Sequence, residues 1–102
     1  GHSKDYVRAM QSILRHEQAD DFVVASGETW SVRDFVDKVF DALGLEVERY
    51  LFQDEIYMRP NELPFLRGDS KKARSVLGWR PEFNVDTLIE DMISHWMTTL
   101  AE

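Results

Sequence analysis

The sequence predicts an α/β fold in which a short, parallel, two-stranded sheet packs against about four helices. Residues 22–25 form a continuous β-prone run, typical of a strand buried on both faces of a sheet. Val32–Leu43 carries a broad apolar face at helical spacing, and residues 45–52 alternate like a second strand. Strand, helix and strand within about thirty residues form a βαβ unit with parallel strands and a right-handed crossover.

The first predicted element is a helix over residues 4 to about 17. Its apolar residues recur at helical spacing, and the charged residues Lys4, Arg8 and Arg15 lie on the other faces. The apolar stripe consists of Tyr6, Val7, Met10, Ile13 and Leu14.

The second predicted helix runs from about residue 32 to residue 43 and has a start signal and a stop signal. Ser31, with Asp34 three residues later, resembles a capping box in which Asp replaces the usual Glu. Gly44 supplies a left-handed cap at the other end.

Two further helices are predicted after an irregular stretch. Residues 53–66 contain two of the three prolines, and loops of this kind commonly carry function. Asp69 or Ser70 begins a short helix through about Leu77, and Gly78 ends it. Asn84 caps a last helix, which we expect to complete the core because its apolar residues keep helical spacing: Val85, Leu88, Ile89, Met92, Trp96 and Leu100.

Composition limits the classes of partner and compartment. The 102 residues are enough for one small domain, and we expect a single domain over residues 1–102. The formal net charge of −7 disfavours general attraction to nucleic acid or an anionic membrane. There is no cysteine, which is compatible with a reducing cytoplasm, and the three histidines lack metal-ligand spacing.

Arg59 and Glu62 are the candidate binding residues. Pro60 fixes the backbone beside Arg59, whose planar guanidinium suits phosphate oxygens. A carboxylate such as that of Glu62 can accept hydrogen bonds from sugar hydroxyls, so the pair suits a sugar nucleotide. The alternative is a solvated local ion pair, which the same spacing also allows.

Several blocks of the sequence resemble the C-terminal part of the GDP-mannose 4,6-dehydratases, which belong to the extended short-chain dehydrogenase/reductase superfamily. The blocks are residues 1–10, 22–28, 31–36, 59–62, 68–73 and 77–81. The later blocks are shared widely in the superfamily. The opening Gly-His-Ser-Lys-Asp-Tyr-Val together with Arg-Pro-Asn-Glu indicates the GDP-mannose branch more narrowly.

The resemblance implies a substrate-binding lobe of an enzyme that converts GDP-D-mannose to GDP-4-dehydro-6-deoxy-D-mannose and water. It implies tightly held NADP, an upstream Rossmann domain that carries the redox chemistry, and a homo-oligomer. By the same resemblance Arg59 matches an arginine that contacts the diphosphate, and Glu62 matches a carboxylate that binds the ribose hydroxyls. Asp69 and Ser70 match a helix start that we interpret as structural.

Two motifs of the superfamily are missing from the sequence. There is no glycine-rich phosphate fingerprint, and no tyrosine is followed four residues later by lysine. We therefore expect neither catalysis nor dinucleotide binding from these residues alone. Two alternatives stay open: a lobe of another nucleotide-sugar epimerase or reductase of the superfamily, or a non-catalytic interaction module.

Overall fold

The computed structural model describes residues 1–52 and 66–101. Its α-helices are α1 (Ser3–Arg15), α2 (Val32–Leu43), α3 (Val47–Tyr50) and α4 (Val85–Ala101), and a π-helical segment spans Ala73–Leu77. The chain divides into two compact units, one formed by Gly1–Glu28 with Arg67–Glu102 and the other by Thr29–Leu66.

The predicted βαβ unit is wrong, because no strand forms within residues 1–52 and 66–101. The alternation over residues 45–52 corresponds instead to α3. Glu46, Glu48 and Arg49 are straight-chain residues that favour a helix, and an ion pair three residues apart joins Arg49 Nε to Glu46 Oε2 at 3.2 Å. Residues 22–25 do run without helix, but no neighbouring backbone forms a ladder with them among the described residues.

The core of the first unit is small and built on two alanines and a tryptophan. Ala9 of α1 and Ala73 of the π-helical segment are fully buried beside Trp79, which is 2% exposed. Phe22, Val24 and Leu77 pack against this cluster. The β-prone residues around position 22 therefore contribute side chains to the core rather than a sheet.

Helix α1 confirms the first predicted helix, but three of the five residues of its apolar stripe are exposed, and Tyr6 and Ile13 are half-buried. Val7, Met10 and Leu14 are 52%, 60% and 85% exposed, whereas Asp5 and Ala9 are buried. Asp5 can face inward because its carboxylate is fully hydrogen bonded there, and Ala9 is small enough for close contact with Ala73.

The second unit confirms the predicted α2 at both ends. Asp34 N donates to Ser31 Oγ at 2.9 Å, and Ser31 N donates to Asp34 Oδ2 at 3.1 Å, which completes the capping box. Gly44 ends α2 with φ of 70°, a conformation that favours glycine.

Helix α4 begins as predicted but contributes to the core with its first half only. Asn84 Oδ1 accepts a hydrogen bond from Thr87 N at 2.9 Å and so caps the helix. Ile89 is buried, but every residue from Ser94 to Ala101 is exposed. Among the residues that the structure describes, no helix is long and apolar enough to cross a membrane.

Candidate functional site

The two candidate binding residues, Arg59 and Glu62, lie outside the described residues. The structure describes the chain up to Phe52 and again from Leu66. What it shows is how the two ends of the intervening segment are held. Both ends belong to the same compact unit, Thr29–Leu66.

The segment that carries the two candidates follows α3, which is fixed against α2. The ring of Tyr50 stacks on that of Phe40 with centroids 5.9 Å apart, and Val47 is buried. Leu51 N donates to Val47 O at 2.9 Å and closes the last turn. A wider ion pair, 3.8 Å between Arg33 Nη2 and Glu48 Oε1, adds a second link between the helices.

The other end of the segment lies next to the start of α2. Thr29 lies two residues before Ser31, the N-cap of α2. Its Oγ1 donates a hydrogen bond to the backbone oxygen of Leu66 at 2.8 Å. The Thr29 side chain therefore fixes the backbone of Leu66, the first described residue after the segment. The segment that carries Arg59 and Glu62 is anchored by hydrogen bonds or ring contacts at each end.

Both anchors carry exposed apolar side chains. Phe52 is 86% exposed and Leu66 is 75% exposed.

Asp69 and Ser70 lie in the other unit, and their contacts are with the protein itself. Asp69 Oδ1 accepts from Lys71 N at 3.0 Å, which caps the turn that leads into Ala73–Leu77. Ser70 is 4% exposed, and its Oγ accepts from Arg74 Nε at 3.1 Å. These contacts agree with the structural interpretation of the pair.

Asp5 was not singled out by sequence reasoning, although it lies in the opening block. It is 2% exposed, and its carboxylate accepts from Glu82 N at 2.9 Å, Phe83 N at 3.1 Å and Arg8 Nη2 at 2.9 Å. Burial acts to raise the pKa of Asp5, but these hydrogen bonds and the Arg8 charge outweigh it, so the pKa lies below its ordinary value. An acid in the first turn of a helix is the one signal that pointed to it.

His2 was likewise not expected to have a structural role. Its Nδ1 accepts from Lys4 N at 3.0 Å and caps α1, while Nε2 lies 2.7 Å from Asp91 Oδ2 of α4. The ring also stacks on Phe83 at 4.0 Å between centroids. His2 therefore joins the beginning of α1 to α4, a long-range role that spacing in the sequence could not reveal.

Comparison with known proteins settles the family. The family model described as GDP-mannose 4,6 dehydratase matches residues 1–92. The chain belongs to the GDP-mannose 4,6 dehydratase family. GDP-mannose 4,6 dehydratase 2 of Arabidopsis thaliana is 42% identical over 93 residues, which are 91% of this chain and 25% of that protein. The human GDP-mannose 4,6 dehydratase is 39% identical over 110 residues, 91% of this chain and 30% of that protein.

The GDP-mannose 4,6 dehydratase relatives are much longer than this chain. A third relative, from Sinorhizobium fredii (strain HH103), is 36% identical over 110 residues, with 91% of this chain and 31% of that protein covered. The chain therefore spans about a quarter to a third of the length of the relatives that it matches. The resemblance to the C-terminal part of this family is confirmed.

The residues of this chain do not fit the dinucleotide cofactor that the family resemblance implies. A dinucleotide fingerprint needs three closely spaced glycines between a strand and a helix. Gly27, which has φ of 83°, is the only glycine of the loop before α2, and no strand precedes that loop in the described residues.

Proposed function

We propose that the chain is the substrate-binding lobe of a GDP-mannose 4,6-dehydratase, which converts GDP-D-mannose to GDP-4-dehydro-6-deoxy-D-mannose and water. The observation that carries the proposal is the family match over residues 1–92, which includes Arg59 and Glu62. The relatives named above all carry the dehydratase name. These names favour a dehydratase over an epimerase or reductase of the same superfamily and over a non-catalytic interaction module.

In this proposal Arg59 contacts the diphosphate and Glu62 binds the ribose hydroxyls. A guanidinium can donate two parallel hydrogen bonds to phosphate oxygens, and a carboxylate accepts from vicinal hydroxyls. The anchors at Tyr50 and at Thr29 support the proposal because a segment tied at both ends needs less ordering when a ligand binds.

The remainder of the enzyme completes the reaction. We propose that an upstream Rossmann domain holds NADP, which supplies reversible hydride transfer, and that the 102 residues act as one lobe in a cytoplasmic homo-oligomer. The residues of this chain bind the nucleotide end of the substrate, and the Rossmann domain carries out the redox step. The lack of a Tyr-x-x-x-Lys motif in the sequence supports this division of labour.

Substitution of Arg59 in the full-length enzyme tests the proposal. Loss of a charge-assisted hydrogen bond weakens binding by about 1.5–3 kcal/mol. Arg59→Ala should therefore raise KM for GDP-mannose about tenfold to a hundredfold. Glu62→Ala should raise KM for GDP-mannose by a similar factor. Steady-state kinetics with GDP-mannose and with UDP-glucose provides the measurement.

The controls are residues of the same chemistry that lie on α3 or beside it. Arg49 and Glu46 pair with each other at the surface, with side chains 73% and 74% exposed. Arg49→Ala and Glu46→Ala should leave KM unchanged, since neither belongs to the proposed site. An unchanged KM in Arg59→Ala would rule out the diphosphate contact, and turnover of UDP-glucose alone would replace the dehydratase by another enzyme of the superfamily.

A further inference from the structure

The hydroxyl of Thr29 contacts the chain just after the segment that carries Arg59 and Glu62. Thr29 Oγ1 donates to the backbone oxygen of Leu66 at 2.8 Å. The side chain of Leu66 is 75% exposed, so packing of that side chain contributes little to holding the residue in place. The position of the Leu66 carbonyl group therefore depends chiefly on the hydrogen bond from Thr29.

Thr29 is itself held at the start of α2 by the two residues that follow it. The ammonium group of Lys38, on α2, lies over the ring of Trp30 at 4.7 Å from the ring centroid. Ser31 forms the capping box with Asp34. Because Trp30 and Ser31 are both tied to α2, the Thr29 hydroxyl is a fixed point to which another part of the chain can be bonded.

Glu62 precedes Leu66 by four residues in the sequence. Four residues of extended chain span at most roughly 14 Å, so the place of Leu66 limits where the backbone of Glu62 can lie. Loss of the Thr29 hydrogen bond would enlarge the set of positions open to Leu66. Ordering of the chain at this point would then cost more free energy when a ligand binds.

We propose that Thr29 is a positioning residue for nucleotide binding, which fixes the Leu66 carbonyl group and thereby places Glu62 for its contact with the ribose hydroxyls. The inference rests on the proposed function, from which it takes the contact between Glu62 and the ribose. The competing explanation is that the hydrogen bond only stabilises the unit Thr29–Leu66, as ordinary hydrogen bonds do.

Thr29→Val in the full-length enzyme tests the inference, because valine keeps the shape of threonine and lacks the donor. The net contribution of an ordinary hydrogen bond corresponds to a factor of about two to ten in an equilibrium constant, so KM for GDP-mannose should rise by about that factor. kcat should stay within about twofold of its original value, since the effect is on binding. Thr29→Ser keeps the hydroxyl and should restore KM.

Thr99→Val provides the matched control. Thr99 Oγ1 donates to the backbone oxygen of His95 at 2.9 Å on α4, so the same substitution removes a hydrogen bond of the same kind in the other compact unit. KM should stay unchanged in this variant. An unchanged KM in Thr29→Val, an equal rise in both variants, or a Thr29→Ser enzyme as impaired as Thr29→Val would overturn the inference.

A double-mutant cycle tests whether Thr29 acts through Glu62. Thr29→Val should raise KM much less in a Glu62→Ala enzyme than in the unsubstituted enzyme. In a Glu46→Ala enzyme it should have its full effect, because Glu46 pairs with Arg49 at the surface. Equal effects in the two backgrounds would overturn the inference and leave the proposed function standing. An unchanged KM in Glu62→Ala alone would remove the proposed ribose contact, and the inference with it.

Discussion

Asp5 joins two segments of the first compact unit, α1 and the approach to α4. Its carboxylate binds the backbone N–H groups of Glu82 and Phe83 and the guanidinium of Arg8, and its backbone oxygen accepts from Trp79 Nε1 at 2.9 Å. All these donors lie in α1 or in the approach to α4. The side chain therefore takes the place of a backbone ladder in connecting the two segments.

Asp5→Asn should destabilise the chain by about 1.5–3 kcal/mol, the usual contribution of hydrogen bonds to a charged acceptor. An amide offers one acceptor oxygen, and its NH₂ group would face a backbone donor. The change appears as a lower midpoint of urea unfolding, followed by tryptophan fluorescence because Trp79 is buried.

Asp37→Asn provides the control for this charge removal. Asp37 pairs with Arg33 four residues earlier on the surface of α2, with Oδ1 3.0 Å from Nε and side chains 57% and 47% exposed for Arg33 and Asp37. Its loss should change the free energy of unfolding by less than about 0.5 kcal/mol. Equal destabilisation by both substitutions would contradict the special role of Asp5.

At the scale of elements, the extended segment of residues 22–25 is held by a close approach to Gly68. A Cβ atom at Gly68 would lie 2.5 Å from Ala25 Cβ and 3.6 Å from Val23 Cγ1. Absence of a side chain at position 68 lets the two backbones pass next to each other. The segment is thus positioned by side-chain contacts and by this approach, without the paired strand that the sequence predicted.

Gly68→Ala should destabilise the chain by about 1–3 kcal/mol, the usual cost of overpacking. Ala25→Gly removes the atom that a new methyl group would meet, so the double variant should be more stable than the sum of the two single effects predicts. Urea unfolding of the four chains gives the coupling free energy. A coupling near zero would show that Ala25 is not the neighbour that requires glycine.

At the scale of the whole molecule, three carboxylates of the described residues connect distant segments and have pKa values below the ordinary one. Hydrogen bonds and charge outweigh burial for Asp5, and a hydrogen bond from Lys72 is the main cause for Asp20. A hydrogen bond from His2 is the main cause for Asp91. Each group binds its proton more weakly in the folded chain than in the unfolded one, where the pKa is near 3.8.

Stability should therefore fall as the pH drops below about 4, because the unfolded chain then takes up protons that the folded chain binds only at lower pH. The contribution is fully present above the unfolded pKa and is lost as the pH passes through the folded values. Thermal unfolding between about pH 6 and pH 2.5 measures the slope. Asp5→Asn should reduce the dependence of stability on pH, and Asp37→Asn should leave it unchanged. Identical slopes for the unsubstituted chain and both variants would contradict this explanation.

The sequence alone determined the helix boundaries that depend on local contacts. The capping box at Ser31, the glycine at position 44 and the Asn84 cap each act within a few residues, so their signals are contained in the local sequence. The family was also recognisable from the sequence, and the family model matches residues 1–92. The structural role of Asp69 and Ser70 followed from the same local chemistry.

Only the tertiary structure decided which faces are buried and which extended residues pair. Alternation over residues 45–52 suits a strand only if a neighbouring strand accepts its backbone, and without one the local helix preference of α3 prevails. The stripe of Val7, Met10 and Leu14 on α1 predicts a helix whatever covers it. The backbone donors that bury Asp5 lie more than 70 residues away in the sequence, and they place the opposite face of α1 inward. Long-range contacts of this kind leave no periodic signal in the sequence, since periodicity records which residues share a face and not which face the rest of the fold covers.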